Sequence, residues 1–573
     1  MSTAHAPNDT PLAAAWQRLR GAFLAAFLFG CLVNLLMLTG PLFMLQVYDR
    51  VLASRSVPTL VVLVVITAVL YAFLGLFDLL RARVLSRLAH ALDAGVQQPV
   101  LSRWLEQGAS GARAVGRPLS DLAVLRGFIA SPVCTALMDL PWVPLYLAMV
   151  FALHVQLGLL AAGGAAIAIA LAVLTEALTR RPLAAAQAAE HRDTAFAEQA
   201  RRQVEPVLAM GMVSAVVSHW QRLHDGAAAQ AQRATERVEG LSAASRAFRL
   251  LLQSLILGLG AWLAIRHELS AGAIIAASII AGRALAPLDQ LIGGWRTVVR
   301  AQEARRALVR HLDAPTEASA APAALQLPPP RGRVAVQQLV KRAPDARAGD
   351  GRRPILEGLN FALEPGAGLG VIGPSACGKT SLARLLTGIW RPDAGAVRLD
   401  GASFEHWSRE ALGRHIGYLP QQAALLEGTL AQNIARFDPE AGDEEIIAAA
   451  RLAGVHEMIL RLPQGYATAV GPAGESLLTG GQLQRVALAR AVFRGPALVV
   501  LDEPNSNLDA EGDAALGQAI AALREAGSTV VVMAHRPSAI AAVDQILMLE
   551  EGRQTAFGPK AEVLRRFTRA ASA

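Results

Sequence analysis

Three observations in the 573-residue sequence predict a chain in two halves, a bundle of six membrane-spanning helices followed by a water-soluble α/β domain. Only 17% of the residues are Asp, Glu, Lys or Arg and 53% are apolar, against about 25% charged in ordinary soluble domains. The apolar residues collect before residue 295 in uncharged runs, the longest of which exceed the roughly 20 residues a helix needs to cross about 30 Å of hydrocarbon. After residue 333 the charge density is ordinary, and short apolar runs alternate with helical stretches, the pattern of an α/β domain.

Residues 21–48 and 56–77 contain no charged residue and read as the first two spans. Residues 140–175 are also uncharged and long enough for two spans, with one polar break at His154-Val155-Gln156, which predicts a helical hairpin with a very short turn. Residues 250–265 and 269–282 are shorter uncharged runs; each alone could be a buried helix of a soluble domain. Together they give six spans near 21–48, 56–80, 132–153, 156–178, 247–266 and 269–292, within a membrane domain over 21–315. Arginines support this count, because basic residues gather in cytoplasmic segments. The segment after the second span carries Arg81, Arg83, Arg87, Arg103, Arg113, Arg117 and Arg126, and the one after the fourth runs from Arg180 to Arg249, whereas the opposite loops hold only Arg50, Arg55 and Arg266. Both termini are therefore expected in the cytoplasm, with the spanning helices continuing there as long hairpins.

The first apolar run is too long for a cleaved signal peptide, so it should remain; residues 1–20 are expected to be a cytoplasmic segment in which Trp16, Arg18 and Arg20 sit on an interfacial helix. With about 20 residues before the first span, no cysteine-protease domain is expected there. Residues 316–332, rich in Ala and Pro, read as a linker, and 333–573 as the second domain. Cys31, Cys134 and Cys377 are far apart and lack metal-ligand spacing, which supports neither a disulfide framework nor a zinc site. The net charge of +8 is accounted for by cytoplasmic loops, so no nucleic-acid partner is required.

Gly373-Pro374-Ser375-Ala376-Cys377-Gly378-Lys379-Thr380 fits the phosphate-loop pattern between a strand-like run (368–372) and a helix-like one (382–386). Such glycines let main-chain N–H groups converge on phosphate oxygens, Lys379 neutralises the β- and γ-phosphates, and the Thr380 hydroxyl can ligate Mg²⁺. Leu498-Val499-Val500-Leu501-Asp502-Glu503 is a buried-strand run ending in two carboxylates. Asp502 suits a metal shell, and Glu503 suits orienting or deprotonating the attacking water of phosphoryl transfer.

Leu478-Thr479-Gly480-Gly481-Gln482, about 100 residues after the phosphate loop, resembles the signature of ATP-binding-cassette proteins. Gln421, in Tyr418-Leu419-Pro420-Gln421, matches the family's glutamine loop, which contacts Mg²⁺ and the attacking water. His535 matches its switch histidine, and Asn505-Ser506-Asn507-Leu508-Asp509 the loop that crosses between paired cassettes. The resemblance implies an ABC-exporter transmembrane domain fused to a cytoplasmic cassette, with ATP and Mg²⁺ held by residues 373–380 and Ser381, and with Thr479, Gly480, Gly481, Gln482 and Asp509 acting on a nucleotide shared between two copies. Six spans and one cassette make half a transporter, so a homodimer is implied, and Glu503 and His535 together imply that both sites hydrolyse. Thr479 replaces the usual serine but keeps a hydroxyl; Leu483 and Gln422 depart from common residues without removing a ligand. Residues 338–344, where many cassettes place an adenine-stacking aromatic, offer only Leu339, Val340, Lys341 and Arg342.

Residues 34–52, residues 138–147 (Met-Asp-Leu-Pro-Trp-Val-Pro-Leu-Tyr-Leu) and the phrase Asp502-Glu503-Pro504-Asn505-Ser506-Asn507-Leu508-Asp509 look like the type I protein secretion exporters of the protease and lipase secretion group. That resemblance implies a bacterial inner-membrane protein exporting an unfolded polypeptide with a C-terminal signal, through a periplasmic adaptor and an outer-membrane channel. The competing expectation is a homodimeric exporter of lipid or small molecules. Arg283 and Asp289 fall in the sixth span, where a charge costs about 2.5–3.5 kcal/mol unless it faces water or a partner; Arg283 is expected either to line the transport path, or to lie near the membrane boundary or pair with a carboxylate.

Overall fold

The computed structural model describes residues 11–109, 117–313, 327–343, 353–471, 478–534 and 537–570. The chain divides into two compact units, Met1–Trp104 with Val115–Ala314, and Leu105–Ala114 with Pro315–Ala573.

The first unit is helical. α1 (Pro11–Leu36) takes in residues 11–20 as its opening turns and continues, after a break, into a short helix over Thr39–Gln46. Pro41 accounts for the break, since it has no N–H to donate to the carbonyl four residues back. α2 (Val57–Ala109) has 53 residues and is about 80 Å long, far beyond the thickness of a bilayer core. The third apolar stretch is divided: α3 (Pro132–Asp139) and α4 (Val143–Leu153) are joined by a 3-10 turn, Leu140–Trp142, where Pro141 and Pro144 remove helix donors. α5 (Val155–Arg202) starts immediately after His154, whose Nδ1 accepts from the Gln156 N–H at 3.2 Å. α6 (Val213–Ile265) returns beside α5, and α7 (Ala271–Gly293) closes the bundle. Among the described residues six helical stretches are long and apolar enough to cross a membrane, as the charge-free runs predict.

Close packing in this unit relies on small residues, as expected where lipid removes the hydrophobic drive between helices. A Cβ at Gly164 of α5 would lie 2.1 Å from Leu252 Cδ2 of α6. α7 is the most enclosed of the six, and its Ala277, Ile280, Ala281 and Ala284 join Tyr146, Leu157, Leu252 and Ile256 in one apolar core.

Two aspartates within the helices are paired. Asp139, at the break in the third stretch, accepts from Asn34 Nδ2 at 2.7 Å and from Arg81 Nη1 at 3.1 Å. Arg81 also reaches Asp78 at 2.8 Å, and the Tyr146 hydroxyl donates to the Asn34 carbonyl at 2.9 Å. One carboxylate thus ties α1, α2 and α3 together. Asp289 forms an ion pair with Arg249 of α6 at 2.9 Å and accepts from Ser245 Oγ at 2.6 Å.

The second unit is an α/β domain. An antiparallel sheet, in the order β2-β1-β4-β5, is built from β1 (Val334–Lys341), β2 (Leu356–Leu363), β4 (Ala394–Leu399) and β5 (Ala402–Ser403). The main sheet runs β12-β11-β3-β10-β9-β6, from β3 (Gly368–Ile372), β6 (Ile416–Leu419), β9 (Leu498–Asp502), β10 (Thr529–Met533), β11 (Gln545–Glu550) and β12 (Arg553–Pro559). A short pair, β7 (Gly428–Thr429) and β8 (Ala469–Val470), stands apart. β3, β6, β9, β10 and β11 are parallel, and every residue of β9 and β10 is buried, as continuous apolar runs in a sheet covered on both faces require. Parallel strands deliver their C-terminal ends to one edge, and the candidate site sits there.

Replacing Asp139 by Ala leaves Arg81, whose side chain is only 9% exposed, with the half-exposed Asp78 alone. Breaking such a pair costs about 3 kcal/mol. The expected outcome is a lower unfolding temperature of the purified protein, with partial recovery when Arg81 is also replaced by Met.

Candidate nucleotide site

The phosphate loop leaves β3 at Ile372 and opens α8 (Lys379–Leu386). Its path depends on missing side chains at two positions. A Cβ on Gly373 would lie 2.2 Å from the Leu549 carbonyl oxygen, and Gly378 has φ +104° with Leu356 Cδ2 2.6 Å from where a Cβ would stand. Ala376 also takes a left-handed φ of 65°, which costs a non-glycine residue about 1–2 kcal/mol. The Lys379 side chain is buried and arches back over the loop, its Nζ donating to the Gly373 and Pro374 carbonyls at 2.8 and 2.9 Å. Cys377 is buried beneath, its Sγ 3.9 Å from Lys379 Nζ. Pro374, Ser375 and Ala376 are exposed at the crest, and Thr380 and Ser381 lie half-buried in the first turn of α8.

Asp502 ends β9 and is 1% exposed. Neither of its carboxylate oxygens accepts a well-formed hydrogen bond among the described residues. Burial pushes its carboxyl above the usual range; the Thr380 hydroxyl opposes that shift, the neighbouring Glu503 charge adds to it, and Arg384 and Lys379 counter it. A buried, unpartnered carboxylate beside a hydroxyl and a phosphate loop fits a hard divalent cation such as Mg²⁺, which takes one or two protein oxygens and completes its shell from phosphate and water.

Glu503 follows with φ 51°, its N–H donating to the Met533 carbonyl at 3.0 Å. β6 pairs with β9 in the register Leu419↔Leu501, so Gln421 emerges beside the acid pair, and its Nε2 donates to Glu503 Oε2 at 3.0 Å. β10 ends opposite Asp502, in the register Met533↔Asp502; His535 lies outside the described residues.

The signature segment opens α11 (Gly480–Val492), where α9 (Arg409–His415) and α10 (Leu430–Ile434) precede it in the chain. Thr479 is its N-cap: Thr479 Oγ1 accepts from the Gln482 N–H at 3.3 Å, and Gln482 Oε1 accepts from the Thr479 N–H at 3.0 Å. This reciprocal capping box occupies the Gln482 side chain, while Thr479 and Gly480 stay exposed at a helix N-terminus, a setting that favours an anion. A Cβ on Gly481 would come 2.8 Å from the Asn507 carbonyl oxygen. Asp509 caps α12 (Ala510–Glu525), accepting from the Gly512 N–H at 2.8 Å. The loop, Asp502, Glu503 and Gln421 thus converge on one sheet edge, whereas Thr479–Gln482 and Asp509 make no hydrogen bond with them among the described residues.

Sequence reading missed Gln484. It is buried in α11, and its Nε2 donates to the Pro504 and Glu503 carbonyls at 2.5 and 3.3 Å while its Oε1 accepts from the Asn507 N–H at 3.2 Å. One amide therefore holds the bend after Glu503. The position is two residues beyond Gln482, and no local pattern marks it. In the stretch 338–344, whose last residue lies outside the described residues, Lys341 Nζ donates to the Arg391 carbonyl at 2.8 Å, and the nearby Trp390 ring is buried under Arg384 at 4.8 Å.

Comparison with known proteins decides the family. Residues 356–506 match the ABC transporter family, and residues 23–285 match the ABC transporter transmembrane region. The chain is 45% identical to the type I secretion system ATP-binding protein PrsD of Rhizobium meliloti (strain 1021), covering 98% of this chain and 96% of that one. The chain is an ABC transporter of the type I secretion family. It is also 30% identical to the leukotoxin translocation ATP-binding protein LktB of Bibersteinia trehalosi, over 95% of this chain and 76% of that one. Its fold resembles a bacterial Atm1-family ABC exporter with ATP bound, with a TM-score of 0.81 and 26% identity over 96% of both chains. This ABC transporter is accordingly a multi-pass membrane protein that binds ATP and couples its hydrolysis to transport.

Replacing Gln484 by Leu keeps the volume but leaves the Pro504 carbonyl and the Asn507 N–H without their partner. The expected loss is about 1–3 kcal/mol of stability, together with a fall in ATP turnover larger than any change in ATP affinity, read from steady-state kinetics and a binding titration.

Proposed function

We propose that the transporter works as a homodimer in a bacterial inner membrane, with residues 21–315 as the membrane domain, 333–573 as a cytoplasmic cassette, and an unfolded polypeptide carrying a C-terminal signal as its cargo. The observation that carries the cargo assignment is the 45% identity to PrsD over nearly the whole of both chains. A periplasmic adaptor and an outer-membrane channel complete the path in this reading.

For hydrolysis, residues 373–381 cradle the phosphates, with Lys379 turning from the loop carbonyls toward the β- and γ-oxygens. Asp502, Thr380 and Gln421 would hold Mg²⁺, which supplies charge neutralisation on the phosphate oxygens. Glu503, oriented by Gln421, takes the proton of the water that attacks the γ-phosphorus as the bond to the bridging oxygen of ADP breaks. His535 contacts the γ-phosphate. Thr479, Gly480, Gly481, Gln482 and Asp509 of the second copy close over the same nucleotide, the exposed N-terminus of α11 meeting its γ-phosphate. An apolar tip supports the second copy: Val204, Leu208 and Met210 are 48%, 63% and 66% exposed where α5 gives way to α6, about 40 Å beyond the span itself if α5 starts at the outer surface.

Arg283 supports a hydrophilic path. It lies midway along α7 and is exposed, between the half-buried Gly282 and the buried Ala284. Asp289 on the same helix is taken by Arg249 and Ser245, so pairing with that carboxylate is not its role.

The test is co-purification from membranes with candidate adaptor and secreted protein, followed by ATPase measurement on adding the substrate's C-terminal segment. Stimulation of several-fold is expected, with turnover abolished in Glu503→Gln and stimulation, but not basal turnover, lost in Arg283→Ala. Stimulation by lipids or small molecules alone would instead favour a lipid or drug exporter, and unaltered secretion by Arg283→Ala would remove it from the path.

A further inference from the structure

A single guanidinium in the cassette gathers four main-chain carbonyls from three elements that no sequence motif links. Arg436 Nε donates to the Arg490 carbonyl at 3.0 Å and Nη2 to the Ala491 carbonyl at 2.9 Å, both in the last turn of α11. Its Nη1 donates to the Gly413 carbonyl at 2.8 Å, in the last turn of α9, and to the Ile416 carbonyl at 3.1 Å, at the foot of β6. The last carbonyls of a helix lack partners within the helix and carry partial negative charge, so a cation sharing two such ends is well placed.

The backbone is shaped to bring it there. α10 is fixed by a capping box between Thr429 and Gln432, and Asn433 is fully buried, bonding both the N–H and the carbonyl of Leu426 at 2.9 Å. The chain then takes two consecutive left-handed residues, Arg436 at φ 56° and Phe437 at φ 59°. Neither is glycine, and strain of this kind persists where surrounding contacts over-determine it. Burial, with Arg490 and Arg494 nearby, lowers the Arg436 pKa to about 10, so the side chain remains a cation at neutral pH.

Two of the three elements matter because of what stands at their other ends. β6 runs from Ile416 to Leu419, two residues before Gln421, and α11 starts at the signature segment. We propose that Arg436 is a positioning residue that fixes the signature helix against the strand bearing Gln421, so that Thr479 and the Gln421–Glu503 pair are set in one frame. α11 has 13 residues and is about 18 Å long, so a 5° swing about its C-terminal end moves its N-terminus by about 1.5 Å. Misplacement of that size can cost a hundredfold in rate. The inference rests on the proposed action of Thr479 on a second copy's nucleotide.

The test uses the full-length transporter in lipid nanodiscs, comparing Arg436→Gln, Arg436→Lys and Thr479→Ala. ATP affinity is measured in the Glu503→Gln background and turnover in the Glu503 form. Arg436→Gln is expected to lower kcat at least tenfold and to abolish vanadate trapping of ADP, with ATP affinity changed less than threefold. Arg436→Lys, which keeps the charge but spans fewer carbonyls, should fall three- to tenfold and remain folded, so it carries the test if the glutamine variant does not fold. Turnover within twofold of wild type in both, or parallel loss of ATP affinity and kcat, would overturn the proposal. Wild-type turnover in Thr479→Ala would instead sink the signature reading on which it rests.

Discussion

A polyphosphate can be held only where main-chain N–H groups and a cation converge without carbonyls competing, and the rest of the cassette follows from meeting that demand. The six-residue loop between β3 and α8 bends only because Gly373 and Gly378 leave room against the Leu549 carbonyl and Leu356. Lys379 secures the bend through two of the loop's own carbonyls. The parallel sheet then brings a buried acid, Asp502, to the same edge without satisfying it. That unpaired carboxylate is costly to the fold on its own, and its burial next to Thr380 makes sense as a place reserved for a cation that arrives with the nucleotide.

The membrane half obeys the opposite rule. The aspartates that lie between its spanning helices have partners: Asp139 has Asn34 and Arg81, and Asp289 has Ser245 and Arg249. Outside hydrocarbon, Asp193 has His224. The contrast separates structural from functional charge. Acids that hold helices together are neutralised by neighbours, whereas Asp502 is left open.

Much of this was legible in the sequence where the signal is local. Uncharged runs of 20 residues and more report spans directly, and the phosphate loop and the Asp502-Glu503 strand end carry their chemistry in consecutive residues. His154 marked the hairpin turn for the same reason. What depends on distant partners was hidden. Asp139 was visible in a motif, but its role as a tie between three helices needs Asn34 and Arg81, 105 and 58 residues away. Gln484 and Arg436 act through main-chain carbonyls, which any residue supplies, so no pattern of side chains can reveal them. Gln482 and Asp509 read as nucleotide contacts, and their side chains in this chain cap helices, as the Thr479 hydroxyl does; such caps depend on the fold of the segment rather than on its motif.

Thr479 and the phosphate loop meet, in the proposed mechanism, only across two copies of the chain. The most direct measurement is cross-linking between co-expressed copies, one carrying Ser375→Cys and the other Thr479→Cys, both with Glu503→Gln and with Cys31, Cys134 and Cys377 replaced by Ala. A short bifunctional thiol reagent should join the two copies in the presence of ATP and not in its absence. Equal cross-linking with and without ATP, or none between copies while a chain carrying both cysteines links to itself, would contradict the composite site.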